Sequence, residues 1–330
     1  AWGAAPGAPL RGGLINQTFA VEAAAGRFIL QRVAPIFAPE IHRNIVAVTE
    51  RLAARGLTTP LLVPAADGRP WADLGAGGIW RVMTRIAGRS VDAVQGPAQA
   101  EAAGALCARF HAALADLPFV FEAPRQGVHD TPAHLRALDQ ALAEHRGHRL
   151  HAEVAALAAE VQAALAAMPA LAAARAWVTH GDLKISNLLF EEGDMGRAVC
   201  LVDLDTVGRM PLWQELGDAW RSWCNPRGED VAAADFDLEI FAASLRGYLG
   251  ALTVALTADE RAALASAPER IALELGARFA ADALNERYFG WDPGRFPAAG
   301  EHNLLRARGQ VALARSAARS RAERAALLAA

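Results

Sequence analysis

The spacing of apolar residues changes period along this chain. Over residues 10–33 the apolar positions alternate with polar ones, and Leu10 to Ile15, Phe19 to Glu22 and Phe28 to Val33 read as strands. Gly12-Gly13 and a turn at Gly26 punctuate them. Pro39 to Arg55 then places Ile41, Ile45, Val48 and Leu52 three or four residues apart, which predicts a helix closed by Gly56. Leu61-Leu62-Val63 and Ile79 to Ile86 complete a predicted five-stranded sheet, and Gly88 marks a crossover. From Pro97 onward helical spacing dominates: Ala100–Leu114 (Leu106, Phe110 and Leu114 on one face), Ala133–Ala174, and about 230–250, 258–289 and 301–328. One stretch interrupts it, Val178–Val207, where Leu188-Leu189-Phe190 and Ala198–Val202 flank a polar, Gly-containing turn at Glu191–Gly196. The pattern predicts an α+β chain with a β-rich lobe over 1–87 and a larger helical lobe over 88–330, and the length of 330 residues agrees with about two domains.

Composition narrows the function classes without choosing one. Hydrophobic residues make up 53% and charged residues 21% of the chain, and the net charge of −3 gives no footprint for nucleic acid or a membrane surface. No apolar run approaches the ~20 residues of a membrane span. The opening AWGAAPGAPL has no basic segment followed by an apolar one, so no secretory leader is expected. Cys107, Cys200 and Cys224 are scattered and odd in number, which points to reduced thiols in a cytoplasm and not to a disulfide frame or a zinc site. No internal repeat is visible, and nothing specifies an oligomeric state.

The chemistry concentrates in Val178–Val207. His180-Gly181-Asp182-Leu183-Lys184-Ile185-Ser186-Asn187 follows the spacing of a protein-kinase catalytic loop, with Gly181 in place of its Arg. Asp203 lies sixteen positions after Asn187, where the metal-binding Asp of that template stands. The roles follow from the residue types. Asp182 accepts the proton of an attacking hydroxyl. Asn187, Asp203 and Asp205 offer hard oxygen ligands to Mg²⁺. Lys184 balances charge on the transferring phosphoryl group. Lys184 is also the only lysine of the chain, every other cation being Arg, which suggests a task for a compact ammonium.

The same template asks for a lid and a third-strand lysine. Two strands joined near Gly12–Thr18 would form the lid, making Asn16 and Thr18 candidate nucleotide contacts, with Met83 and Arg85 candidates at the hinge. No lysine exists on the third strand, so Arg32 or Gln31 must substitute, and Arg32 is preferred for its charge. The helix that would carry the partner Glu offers Glu50 or Asn44.

The GDLKxxN and VDLDT pair, with Gly181 for Arg, resembles the aminoglycoside phosphotransferase and choline kinase branch of the kinase fold, and within it the N-acetylhexosamine 1-kinase group. The resemblance extends to Asn16-Gln17-Thr18-Phe19, Phe28–Val33, Ile36-Phe37 with Asn44-Ile45, His129-Asp130-Thr131, Leu216-Gly217-Asp218-Ala219 with Arg221, and His302-Asn303-Leu304. It implies a protein-kinase-like bilobal fold and an ATP- and Mg²⁺-dependent transfer to a small-molecule sugar or alcohol, most closely the anomeric hydroxyl of a hexose. His129-Asp130-Thr131 before Pro132 reads as a helix cap or, by the resemblance, as a contact of His129 and Asp130 with the acceptor, and the resemblance implies that Asp218 pairs with the backbone of the catalytic loop. Arg221 is read as meeting an anionic group of the acceptor or closing a salt bridge. The alternatives are an aminoglycoside or amino-alcohol acceptor, a nucleotide-binding pseudokinase, and a metal-dependent phosphohydrolase. An acid-rich pocket would favour the cationic acceptors.

Overall fold

The computed structural model describes residues 8–9, 15–123 and 127–330. Residues 10–14 of the predicted strand at Leu10–Ile15, and with them part of the expected lid, and Pro124 lie outside them. The small lobe holds β1 (Ala8–Pro9), β2 (Gln17–Ala23), β3 (Gly26–Arg32), helix α1 (Ile41–Ala54), β4 (Leu62–Val63), β5 (Ala72–Asp73) and β6 (Ile79–Thr84). They form one antiparallel sheet of six strands in the order β1-β2-β3-β6-β4, with β5 also on β6. Four of the five predicted strands correspond to β2, β3, β4 and β6; β1 and β5, which the sequence does not predict, are each two residues long, too short for a periodic signal. Register settles which faces meet. Gln31 pairs with Arg81, and Arg32 pairs with Trp80 and Gln17.

The large lobe begins with α2 (Pro97–Leu114), α3 (Thr131–Glu144) and α4 (His151–Ala166). Then come β7 (Ala176–Thr179), β8 (Leu188–Glu191), β9 (Asp194–Leu201) and β10 (Gly208–Pro211), and the helices α5 (Leu212–Trp223), α6 (Leu238–Ala251), α7 (Ala258–Asn285), α8 (Ala299–Arg319) and α9 (Arg321–Ala329). β8 and β9 form the expected hairpin, while β7 and β10 pair antiparallel around it. This is the protein-kinase-like bilobal fold.

Local chemistry sets the helix ends. Asp130 and Asp237 accept backbone N–H groups at the starts of α3 and α6. Thr257 and Glu260 close a reciprocal box at the start of α7, a device worth about 1 kcal/mol. Helices α2 and α6 touch backbone to backbone. A Cβ at Gly104 would come 1.9 Å from the Ser244 carbonyl oxygen, and one at Gly247 2.0 Å from that of Glu101. Their glycines allow a seam that any side chain would open. Helix α1 is fastened to the large lobe through Asn44, whose amide donates to the Glu122 carbonyl (2.8 Å) and accepts from its N–H (2.9 Å).

Candidate active site

The segment 180–206 folds back on itself to make the floor of the site. Gly181 has φ +83°, and a Cβ there would sit 2.5 Å from the Thr206 carbonyl oxygen, so the Arg of the kinase template has no room. Thr206 Oγ1 donates to the His180 carbonyl at 2.8 Å. The His180 ring donates from Nε2 to the Val202 carbonyl (2.9 Å) and accepts the Asp182 N–H at Nδ1 (3.3 Å). Trp223 donates to the Leu183 carbonyl at 2.8 Å.

A buried carboxylate anchors this loop, and it is Glu215. It accepts the N–H groups of His180 (2.7 Å) and Gly181 (2.9 Å), with His111 against the same side chain at 3.4 Å. Burial works to raise its pKa, but the His111 contact, the nearby His180 and the Gly181 N–H outweigh it and hold the carboxyl below the ordinary range. The expectation for Asp218 is therefore corrected: one helical turn further along α5, Asp218 pairs with Arg221 at 2.8 Å.

Asp182 presents its two oxygens differently. Oδ2 accepts from Lys184 Nζ at 2.9 Å and from the Asn187 amide at 3.1 Å. Among the described residues no donor reaches Oδ1, which leaves that lone pair for an incoming hydroxyl. Burial works against the Lys184 ammonium, yet Asp182 and Asp203 carry its pKa above the usual value and keep it charged.

Asn187 also donates to the Asp182 carbonyl at 2.8 Å, so its amide nitrogen is committed and its Oδ1 remains free among the described residues. Asp203 stands beyond the end of β9 at φ +65°, in the left-handed region. Enclosure and the neighbouring Asp205 raise its pKa. Two open oxygen donors beside an excess of negative charge fit a hard divalent cation. Among the described residues no group of three or more His, Cys, Asp or Glu is placed to hold an ion by itself.

Asp205 leaves the metal set. Its Oδ1 accepts from Arg81 and its Oδ2 from Asn16 at 2.7 Å, and the Arg81–Asp205 side chains are 1% and 2% exposed. Asn16 in turn accepts the Ala34 N–H at 2.9 Å, so it braces Asp205 and is not a free contact for nucleotide. Arg32 is also corrected. The pleat turns it away from the cavity, against Gly78, where an added Cβ would lie 3.1 Å from its Nε. Gln31 faces inward, donating to Thr18 Oγ1 at 3.0 Å and accepting from Arg81 at 2.7 and 2.9 Å. Arg81 went unnoticed in the sequence because it reads as part of an apolar hinge strand.

Two cavities flank the hairpin. One of about 400 Å³ between the lobes is lined by Thr18, Gln31, Arg81, Met83, Arg85, Asn187 and Asp203. The other, a cleft of about 1030 Å³ in the large lobe, takes in Asp182, Lys184, His129, Asp218, Arg221 and Glu274. Asp130 caps α3 through the Ala133 N–H at 2.9 Å and is not among the residues lining the cleft. His129 donates to Glu274 at 2.8 Å; burial opposes its charge, but Glu274 and Asp218 raise its pKa above the ordinary value. Arg221 lies between Asp218 and Glu229, inside the wall of the cleft.

The model of the phosphotransferase enzyme family matches residues 7–250 of this chain. The chain belongs to that family. Solved structures of this phosphotransferase fold agree over nearly the whole length. An aminopropanol kinase associated with a microcompartment superposes with TM-score 0.65 at 20% identity, covering 96% of this chain and 93% of its own. An amicoumacin kinase gives 0.63 at 16% identity, with 93% and 87% covered. An aminoglycoside phosphotransferase from Alicyclobacillus acidocaldarius gives 0.62 at 17%, with 96% and 98% covered. At such identities the superpositions speak for the fold of this phosphotransferase and leave its acceptor open.

Proposed function

We propose that this phosphotransferase is an ATP- and Mg²⁺-dependent small-molecule kinase whose acceptor is a sugar hydroxyl, namely the anomeric hydroxyl of a hexose or N-acetylhexosamine. One observation carries the kinase reading: the cation-binding oxygens of Asn187 and Asp203 face one cavity, and the base Asp182 faces the other, across a single hairpin. Asp182 Oδ1 takes the proton of the acceptor hydroxyl as it attacks. Lys184 holds Asp182 in place and offsets developing negative charge. Asn187 and Asp203 hold the divalent cation, which when bound supplies neutralisation of the phosphate oxygens. The amicoumacin kinase described with AMP-PNP and Ca²⁺ supports the same pairing of nucleotide and cation here.

The sugar reading is supported by the walls of the acceptor cleft. Phe289 and Trp291 line it with partly exposed rings, Trp223 and Phe279 being buried in its wall, and flat apolar faces suit the C–H faces of a pyranose. Between them stand planar groups already fixed by ion pairs, Asp218–Arg221 and Asp230–Arg306. Such groups engage vicinal hydroxyls in pairs at little entropic cost. A second reading, an amine-bearing acceptor, is favoured by the surplus of carboxylates in the cleft, with Asp92, Asp237 and Glu239 beyond those paired with Arg or His. The aminopropanol kinase among the similar structures points the same way.

The test is ADP release with Mg-ATP across hexoses and N-acetylhexosamines, aminoglycosides and short amino alcohols. Release with a hexose, giving an acid-labile sugar phosphate, is expected. Release with amines alone selects the second reading. Release without any acceptor indicates a phosphohydrolase and overturns both.

A further inference from the structure

Kinase folds anchor the nucleotide phosphates through a lysine on the third strand, held by a glutamate from the following helix. Neither half of that pair stands in its usual place here. The cavity-facing position of β3 is Gln31, and Arg32 points to the other face. On α1, Asn44 is spent on the backbone of Glu122 and Glu50 is exposed.

The geometry points to a transplanted pair, and we propose that Arg81 on β6 is the small-lobe anchor for the nucleotide's phosphates and that Asp205 is its carboxylate partner. Arg81 is the register neighbour of Gln31, so its guanidinium reaches the same face one strand over. It lines the inter-lobe cavity together with Asn187 and Asp203. Gln31 accepts from its Nε and Nη2, and Asp205 accepts from its Nη1. A guanidinium has five N–H groups. Three are used, which leaves one on each terminal nitrogen to donate to phosphate oxygens. Gln31 is the complement of this arrangement, because a lysine there would set a second cation against Arg81, whereas an amide oxygen orients it. Asp205 is braced from its other side by Asn16, so the pair is held before nucleotide arrives.

The inference rests on the reading of the inter-lobe cavity as a nucleotide site. Its test separates the two. Affinities for adenosine, AMP, ADP and Mg-ATP are measured by titration calorimetry, with circular dichroism checking the fold. The variant Arg81→Gln/Asp205→Asn removes both charges and leaves no lone buried ion. It should keep adenosine affinity within about twofold and lose on the order of 10- to 100-fold toward ADP and Mg-ATP, the range of one or two charge-assisted hydrogen bonds. Adding Gln31→Lys to it should restore part of that loss, and Arg32→Gln in the wild-type background should leave the whole series unchanged. Where the double variant does not fold, Arg81→Lys keeps Asp205 paired and should still weaken ADP severalfold without touching adenosine. A folded double variant that retains the wild-type ratio of ADP to adenosine affinity overturns the proposal, as does a loss that follows Arg32 instead. A wild type that gains nothing from phosphates overturns the proposal together with the nucleotide-site reading. A wild-type gain that survives the Arg81 variants overturns this inference alone.

Discussion

Glu215→Gln keeps the shape of a buried side chain and changes only what it can accept. The carboxylate takes His180 N–H on one oxygen and Gly181 N–H on the other, at 2.7 and 2.9 Å. An amide in its place must turn an NH₂ toward one of those donors. One charge-assisted bond is then lost and one buried N–H is left facing another donor, at a cost of about 2–4 kcal/mol. Asp182 is the next residue, so the strain falls on the base, where a shift of ~1 Å can reduce turnover on the order of 10²-fold. Urea unfolding should show a lower midpoint at unchanged slope, and steady-state ADP release a lower kcat with the KM for ATP nearly constant. The pH dependence gives a second readout. The folded carboxyl titrates below the ordinary glutamate value, so its contribution is complete above that value, ~4.3–4.5, and is lost as pH falls through the depressed folded value. The gap between wild type and variant should therefore close in acid. A variant with wild-type midpoint and kcat at neutral pH would refute the anchoring role.

Three further outcomes test the floor of the site. Asp182→Asn should lower turnover by ~10²–10⁴ while ATP binding, measured by calorimetry, changes little. Lys184→Arg should cost on the order of 10²-fold in kcat despite its retained charge, because a wide planar fork displaces the contact that Nζ makes with Asp182 at 2.9 Å; wild-type kinetics would make the lone lysine a compositional accident. Asp203→Asn should abolish the Mg²⁺ dependence of ATP affinity, and equal wild-type affinity with and without Mg²⁺ would remove the metal role from Asn187 and Asp203.

What could be read in advance was what is local. The hairpin, its turn and the run from His180 to Asp203 carry their spacing in the chain itself, and the two-lobe division follows from the change of period. What escaped depends on contacts across long separations. Arg81 and Asp205 are 124 residues apart, and Asn16 and Asp205 are 189 apart. No periodicity reports such pairs. Two misplacements arose from pleat and helix phase: Arg32 against Gln31 is one residue, which on a strand is the opposite face, and Asp218 against Glu215 is one helical turn. Asp130 shows the competition between a functional and a local use of the same side chain, since the N-terminus of α3 needs an acceptor and takes it.

Both sides of the reaction hang on one short segment. Glu215 holds the backbone of His180 and Gly181 from below, Thr206 ties that backbone to the turn after Asp203, and Asp205 in the same turn carries Arg81 of the small lobe. Asp182, Asp203 and the Arg81 lobe contact therefore share one frame of hydrogen bonds, most of them made by buried side chains. In kinases that set activity by moving the helix after the third strand, the ion pair breaks when the helix swings. Here α1 contributes no member of the pair and is itself tied to Glu122. α1 still packs on the turn that carries Asp205, and its His42 acts electrostatically on both Arg81 and Asp205, so the helix supports the pair by packing and not as an ion-pair member, in keeping with pre-organised electrostatic catalysis.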